Sequence, residues 1–192
     1  FLYNLSGLIL FGQRNFDDAI KRYEEGLKVD PNFGMIHNNL GLLFFERKSY
    51  GYIKKAEDCY KKSIFVDKNI PEPHNNLGSL YNSLYRYDEA LNCFKKSISI
   101  NSKFFPAHYN LGLSYVSLGQ FKDAKVHLRE SIKLNPNLSN AHRSLSRIIK
   151  YTDKEEHFHE LRKLYNKTND KKGINMRVDL GFALGKAFED LK

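Results

Sequence analysis

With 192 residues, 41% of them hydrophobic, the chain carries enough apolar side chain to bury a core, which excludes disorder as its resting state. Its net charge of +9 permits an acidic partner without naming one, and no run approaches the ~18 apolar residues that span a bilayer. The two cysteines, Cys59 and Cys93, lack metal-ligand spacing and are too few for a disulfide framework, so a reducing, cytoplasmic setting with both thiols free is expected. No signal peptide is legible. The chain begins at Phe1 rather than Met, so it reads as a piece excised from a longer protein.

The first element pair runs from the N-terminus to "DPN" at 30–32, with Gly7 and Ala19 as small-residue markers. The second opens on "HNNLG" at 37–41, the third on "HNNLG" at 74–78 and the fourth on "HYNLG" at 108–112. Gly7, Gly41, Gly78, Gly112 and Ser146 recur at intervals of 34, 37, 34 and 34 residues. Ala19, Ala56, Ala90 and Ala124 recur at 37, 34 and 34. Both series carry the same three-residue excess, which places an insertion in "KSYGY" at 48–52. Tyr23, Tyr60, Phe94 and Leu128 each follow an Ala marker by four residues, and "DPN", "DKN", "NSK" and "NPN" close the units. Each unit offers two apolar periodic stretches of roughly a dozen residues, too short to be stable alone in water. They bury their stripes only by stacking into one core. Turns such as "GQRNFDDA" and "SLGQFKDA" place Gly or Asn at the turn and acids at the next helix start, where the dipole favours them.

After Ile149 the pattern loosens. "TDKE" at 152–155 reads as a capping box, with Thr152 as cap and Glu155 reaching back. Phe158, Leu161 and Leu164 or Tyr165 then form one stripe, "NKTNDKKGIN" at 166–175 is a polar loop, and 176–192 resumes a helix with Leu184, Gly185, Phe188 and Leu191 in the marker register. The expected organisation is repeats 1 to 4 and the first helix of repeat 5 over 1–151. Over 152–192 it is the divergent second helix of repeat 5, the polar loop and the first helix of a truncated sixth repeat. The apolar face of that last helix is left open or covered by a neighbouring molecule.

His-x2-Leu-Gly-x2-Phe/Tyr, then Ala-x3-Phe/Tyr, then Pro, at a period of 34, resembles the tetratricopeptide repeat, with His where that pattern often has Trp. The resemblance covers nearly the whole chain. It implies an all-α, right-handed superhelix (an α-solenoid) of paired antiparallel helices, with a concave groove that binds a protein or peptide. No cofactor and no catalytic residue is implied. A second resemblance lies over about 141–192, where "AHRSLSRIIKYT", "HFHEL" and "FALGKAFEDLK" are similar to the junction in bacterial proteins that join such repeats to a sulfotransferase domain. It implies the alternative that the chain is the substrate-recognition arm of a larger enzyme, a sulfotransferase before an O-glycosyltransferase. Nucleic-acid binding is a distant third reading, because the basic excess is spread along the chain without an aromatic-interleaved stripe.

Let each repeat be numbered so that its Gly marker is position 8. Positions 4, 7, 8, 11 and 14 then share one helix face, and positions 2, 6, 9 and 13 point roughly the opposite way. His37, His74, His108 and His142, all at position 4, belong at packing seams. A shared metal is not expected, since stacked helices lie ~8–10 Å apart and metal–nitrogen bonds span ~2 Å. In the resembling family the opposite face lines the groove, which places Asn39, Asn76 and Asn110 there. They resemble the Asn ladder of O-linked N-acetylglucosamine transferases, which hold peptide backbones; an amide both donates and accepts. Further groove candidates are Asn38, Asn75, Tyr109, Leu42 and Phe45, with Leu8 and Phe11, and a basic end of Arg143 and Arg147 with Lys150. This series suits a peptide with an acidic segment. Asn4 and Leu8 stand where the carboxylate clamp of chaperone-binding repeats wants Lys and Asn, which counts against that partner. Self-association through the open terminal helix is a further expectation, and no membrane partner is.

Overall fold

The computed structural model describes residues 1–47, 50–152, 155–168 and 174–192, without the side chain of Tyr50. All regular structure among them is helical, and the chain divides into two compact units, residues 1–102 and 103–192. The first unit holds α1 (Leu2–Gly12), α2 (Phe16–Val29), α3 (Gly34–Glu46), α4 (Tyr50–Val66), α5 (Pro71–Ser83) and α6 (Tyr87–Ile100). The second holds α7 (Phe105–Ser117), α8 (Phe121–Leu134), α9 (Ser139–Ser146), α10 (Glu156–Lys167) and α11 (Ile174–Asp190). No helix among the described residues is long and apolar enough to cross a membrane.

α1–α2, α3–α4, α5–α6 and α7–α8 form hairpins closed at the markers. A Cβ built on Gly41 would meet the Tyr60 ring at 2.5 Å, one on Gly78 the Phe94 ring at 2.7 Å, and one on Gly112 the Leu128 side chain at 2.8 Å. Gly7 stands in the same relation to Tyr23. The small residue is a hole and the second-helix side chain is its knob. Tyr23, Tyr60, Phe94 and Leu128 are fully buried there, as are Ala19, Ala56, Ala90 and Ala124 beneath them. Two more recurrent side chains tie each pair: Ser63 Oγ donates to the Gly34 carbonyl at 2.8 Å and Ser97 Oγ to the Pro71 carbonyl at 2.8 Å, each at the first residue of the hairpin's leading helix.

The loops between repeats explain their Asp and Asn. The side chains of Asp30, Asp67 and Asn135 accept from the backbone N–H two residues on, as local turns of the chain. The turn inside the hairpin needs one left-handed residue. Gly119 supplies it in the fourth repeat, whereas Arg14 and Tyr85 adopt the same backbone, at φ of 61° and 59°, in the first and third. The three-residue excess of the second repeat falls partly on Lys48 and Ser49, outside the described residues. The next helix shows where the excess goes: α4 has 17 residues where α2, α6 and α8 have 14, so the insertion is taken up as an extra helical turn.

The second unit departs most from the sequence reading. α9 has only eight residues and ends at Ser146, so Arg147 is its C-cap and Lys150 lies beyond the helix. The capping box at 152–155 does not form. α10 begins at Glu156, Glu155 is itself the N-cap with no side-chain capping bond, and its carboxylate is taken by Arg129 of α8 instead. Asp153 and Lys154 lie outside the described residues. α11 packs on α9 and α10, and Leu180, Ala183, Leu184 and Ala187 join a core with Leu145, Ile149, Tyr151 and Leu161.

A hydrogen-bonded file of buried groups crosses this core. His142 Nε2 donates to the Pro136 carbonyl at 2.9 Å, His142 Nδ1 and His157 Nε2 are 2.9 Å apart, and the Tyr151 hydroxyl and His157 Nδ1 are 2.8 Å apart. A carbonyl only accepts, so the protons of a neutral file are fixed. Tyr151 donates to His157 Nδ1, and His157 Nε2–H donates to His142 Nδ1. A proton added to His157 is accommodated only by turning the Tyr151 hydroxyl from donor to acceptor, and a second, on His142, would set two N–H donors against each other. Burial lowers both imidazoles, His157 to about 3, with His142 and Arg129 opposing its charge further.

Two outcomes are expected. Gly41→Ala gains about 1 kcal/mol in helix propensity but forces a methyl into a fully buried ring. Its unfolding free energy, measured by urea titration, should fall by a net of order 1–2 kcal/mol, moving the midpoint to lower urea. The depressed imidazoles take up protons in the unfolded chain first. Stability is therefore full above the ordinary histidine pKa near 6.5 and drains as pH falls from there toward 3. Thermal unfolding between pH 7.5 and 4.5 should show this fall, and His157→Gln should make it shallower.

Candidate functional site

On the leading helices of the first unit, the repeated Asn pairs interlock. Asn39 Nδ2 donates to Asn4 Oδ1 at 2.8 Å, and Asn76 Nδ2 donates to Asn38 Oδ1 at 2.9 Å. Within each helix the pair is joined as well, Asn38 Nδ2 to Asn39 Oδ1 and Asn75 Nδ2 to Asn76 Oδ1, each at 3.4 Å. Five amides thus form one directed series running Asn75, Asn76, Asn38, Asn39, Asn4, each donating to the next. The rule is positional: the side chain at position 6 of one leading helix bonds the side chain at position 5 of the leading helix before it. It sets α1, α3 and α5 side by side.

The rungs are not equally open. Asn4, Asn39 and Asn75 are buried, at 4%, 8% and 6% exposure, whereas Asn38 and Asn76 are half-buried. Asn39, expected as an exposed groove residue, is thus mainly a helix-to-helix tie. Asn38, its neighbour at position 5, has the better access. Leu42 and Phe45 lie half-buried on α3, one and two turns on from Asn38. Leu8 on α1 is 40% exposed. A cavity of about 400 Å³ opens beside the ladder, lined by Met35, Asn38, Asn39, Ser63, Ile70, Glu72 and Pro73.

The second unit repeats the positional rule with other chemistry. Tyr109, at position 5 of α7, is hydrogen-bonded to Ser144, at position 6 of α9, and burial raises its pKa. Asn110 beside it is half-buried. Arg143 is not a free cation for a ligand: it pairs with Asp179 of α11 at 3.2 Å and lies over the Phe182 ring at 4.6 Å. Ser139 donates to the same carboxylate at 2.9 Å. Arg147 is exposed at the α9 C-cap. The structure thus joins Asn38, Asn39, Asn75 and Asn76 in one network, and gives the exposed Arg143 a partner, Asp179, that sequence spacing gave no means of seeing.

Two of the four recurrent histidines tie down the loop before their helix. His37 Nε2 donates to the Pro31 carbonyl at 2.8 Å, six residues back, as His142 does to Pro136. For His74 the equivalent Lys68 carbonyl is close enough to oppose the downward pull of burial on its pKa, but Nε2 forms no bond of ordinary geometry. Among the described residues no group of three or more His, Cys, Asp or Glu could hold a metal ion. Cys59 and Cys93 are unbridged, and burial pushes their thiols up to about 12 and about 11, so both stay protonated near neutrality.

Family models of the tetratricopeptide repeat match residues 7–47 and 78–119, and a further repeat matches residues 105–138. The matches stop at residue 138, so the resemblance of 141–192 to a sulfotransferase junction has no counterpart in them. The chain is 37% identical over 57 residues to the Hsp70-Hsp90 organising protein of Plasmodium falciparum (isolate 3D7), a match over 30% of this chain and only 10% of that protein. Among solved structures, a thermophilic TPR protein of Thermus thermophilus superposes with a TM-score of 0.73 at 20% identity, over 95% of this chain and 97% of that one. The first TPR of Spaghetti (RPAP3), bound to the HSP90 peptide SRMEEVD, superposes with a TM-score of 0.56 at 23% identity, over 60% of this chain and 89% of that one. With the same small-residue holes and ring knobs closing hairpin after hairpin, and repeat matches over just more than half of its length, the chain belongs to the tetratricopeptide repeat family.

Proposed function

We propose that the chain is a non-catalytic scaffold that holds an extended protein segment along its leading helices, with Asn38 and Asn76 as the amide contacts. One observation carries this reading: two half-exposed amides are locked in orientation by buried neighbours and flanked on α3 by Leu42 and Phe45. In the ladder Asn38 and Asn76 each use one N–H and one lone pair. The amide inventory leaves one of each, which is what a peptide backbone offers in return. Because the neighbours already fix the rotamers, little side-chain entropy is lost on binding. Leu42 and Phe45 suit an apolar side chain of the bound segment.

An acidic stretch in the partner is favoured by the net charge of +9 and by exposed Arg147 and Lys150. The HSP90 peptide held by the related RPAP3 repeats is also acidic, which supports the same preference. The unbridged, protonated cysteines suit a reducing, cytoplasmic setting.

A phage-displayed random peptide library, panned on the 192-residue chain, tests the reading. Enriched peptides are expected to bind about tenfold or more weakly to Asn38→Ala/Asn76→Ala, a loss equivalent to one or two backbone hydrogen bonds. They should also shift the side-chain amide NMR signals of Asn38 and Asn76. Asn39→Ala serves as the contrast and should lower thermal stability more than affinity. Peptides whose affinity ignores the double substitution would reject the amide contacts, and affinity that ignores salt would reject the acidic preference.

A further inference from the structure

The cavity beside the amide ladder has a chemistry of its own. At about 400 Å³ it lies at the low end of the range that holds small ligands, roughly 300–1,000 Å³, so it suits one long side chain rather than a folded element. Met35, Ile70 and Pro73 supply apolar walls. Met35 is 51% exposed on α3, and Pro73 is buried in the first turn of α5. Asn38, assigned above to a bound backbone, borders the same space.

Two of the polar groups along the cavity can only accept. Ser63 Oγ has given its one proton to the Gly34 carbonyl, so it offers a newcomer lone pairs alone. Glu72, exposed in the first turn of α5, is an ionised carboxylate without a proton to donate. The helix dipole favours a carboxylate at that turn, but no cation answers it. Among the described residues the Glu72 side chain has neither a hydrogen bond nor an ion pair. Elsewhere in the first unit Glu57 is paired with Lys61 and Glu89 with Arg86.

Apolar walls that end on an unanswered carboxylate match a side chain with a methylene stem and a cationic head. An acidic side chain would be repelled by Glu72, and a purely apolar one would leave the charge as it stands. Arginine suits the place better than lysine: its guanidinium is more weakly hydrated than an ammonium, and its planar fork matches a carboxylate. Successive side chains of an extended segment point to opposite sides, so one held at Asn38 enters the cavity while its neighbours face away. The acidic preference stated above answers to Arg147 and Lys150 of the second unit, whereas this cavity belongs to the first and asks for a single residue of the opposite sign.

We propose that the cavity walled by Met35, Ile70 and Pro73 and rimmed by Glu72 is a specificity pocket for one basic side chain of the bound segment, arginine before lysine. This rests on the reading of Asn38 and Asn76 as backbone contacts, since the residue held at Asn38 is the one whose side chain enters. N-acetyl-arginine methylamide, titrated into the 192-residue chain, should shift the side-chain amide NMR signal of Asn38 at concentrations about threefold or more below those that neutral N-acetyl-norleucine methylamide requires. Glu72→Gln should erase that difference and, because Glu72 is exposed, keep the thermal unfolding of the parent. Peptides panned from the random library should carry Arg or Lys at one fixed position. Panning on Glu72→Arg should replace it with Asp or Glu while the dependence on Asn38 and Asn76 is kept. Peptides that need Asn38 and Asn76 but hold no basic position overturn the pocket and leave the scaffold reading standing, as does an arginine preference that survives Glu72→Gln. Peptides indifferent to Asn38→Ala/Asn76→Ala remove the scaffold reading, and the pocket with it.

Discussion

The structure depends on one close approach, the seating of a large second-helix side chain over a residue without a Cβ. Each helix, of eight to 17 residues, is marginal alone. Once Tyr60 lies on Gly41 or Phe94 on Gly78, two such helices share one buried seam, and the spacing between them is fixed to within a methyl group. Other contacts depend on that spacing. Ala56 and Ala90 are fully buried one turn away, and Ser63 and Ser97 come within bonding distance of the first carbonyl of the paired helix.

The amide ladder is a second device laid over the first. Leading helices from successive repeats do not share a ring-and-hole contact; they are registered by side-chain pairs at positions 5 and 6. In the first unit these are amides, and in the second Tyr109 meets Ser144. Buried polar ties of this kind fix register rather than add much net stability, because each bond replaces one to water. They also leave half-exposed members oriented without cost at the moment of binding. Scaffold and candidate contact are therefore parts of one network, with Asn39 on the buried side and Asn38 and Asn76 on the accessible side.

Along much of the chain the fold was legible, because the repeat states the same constraint several times. Two independent marker series with a common excess located the insertion, and α4 shows its consequence as added helix. The region after Ile149 was harder to read. A Thr-x-x-Glu pattern is a local signal, and the pull of Arg129 on Glu155 from another helix overrode it. Arg143 likewise had the spacing of an exposed groove cation, but Asp179, 36 residues downstream, claims it. In both places a charged side chain answers to an opposite charge near it in space, which helical periodicity does not encode.

By itself the sequence determined the all-helical repeat, the hairpin markers and the amides at positions 5 and 6 of the leading helices. Each of these follows from spacing along a helix, and 3.6 residues per turn makes spacing a statement about faces. Which amide is a tie and which is open was decided only by the tertiary structure, because Asn38 and Asn39 are adjacent in the chain and differ only in what the previous leading helix places beside them. The same holds for Gly185. Its letter is that of the other repeats' markers, and only the empty space over it in the folded chain sets it apart.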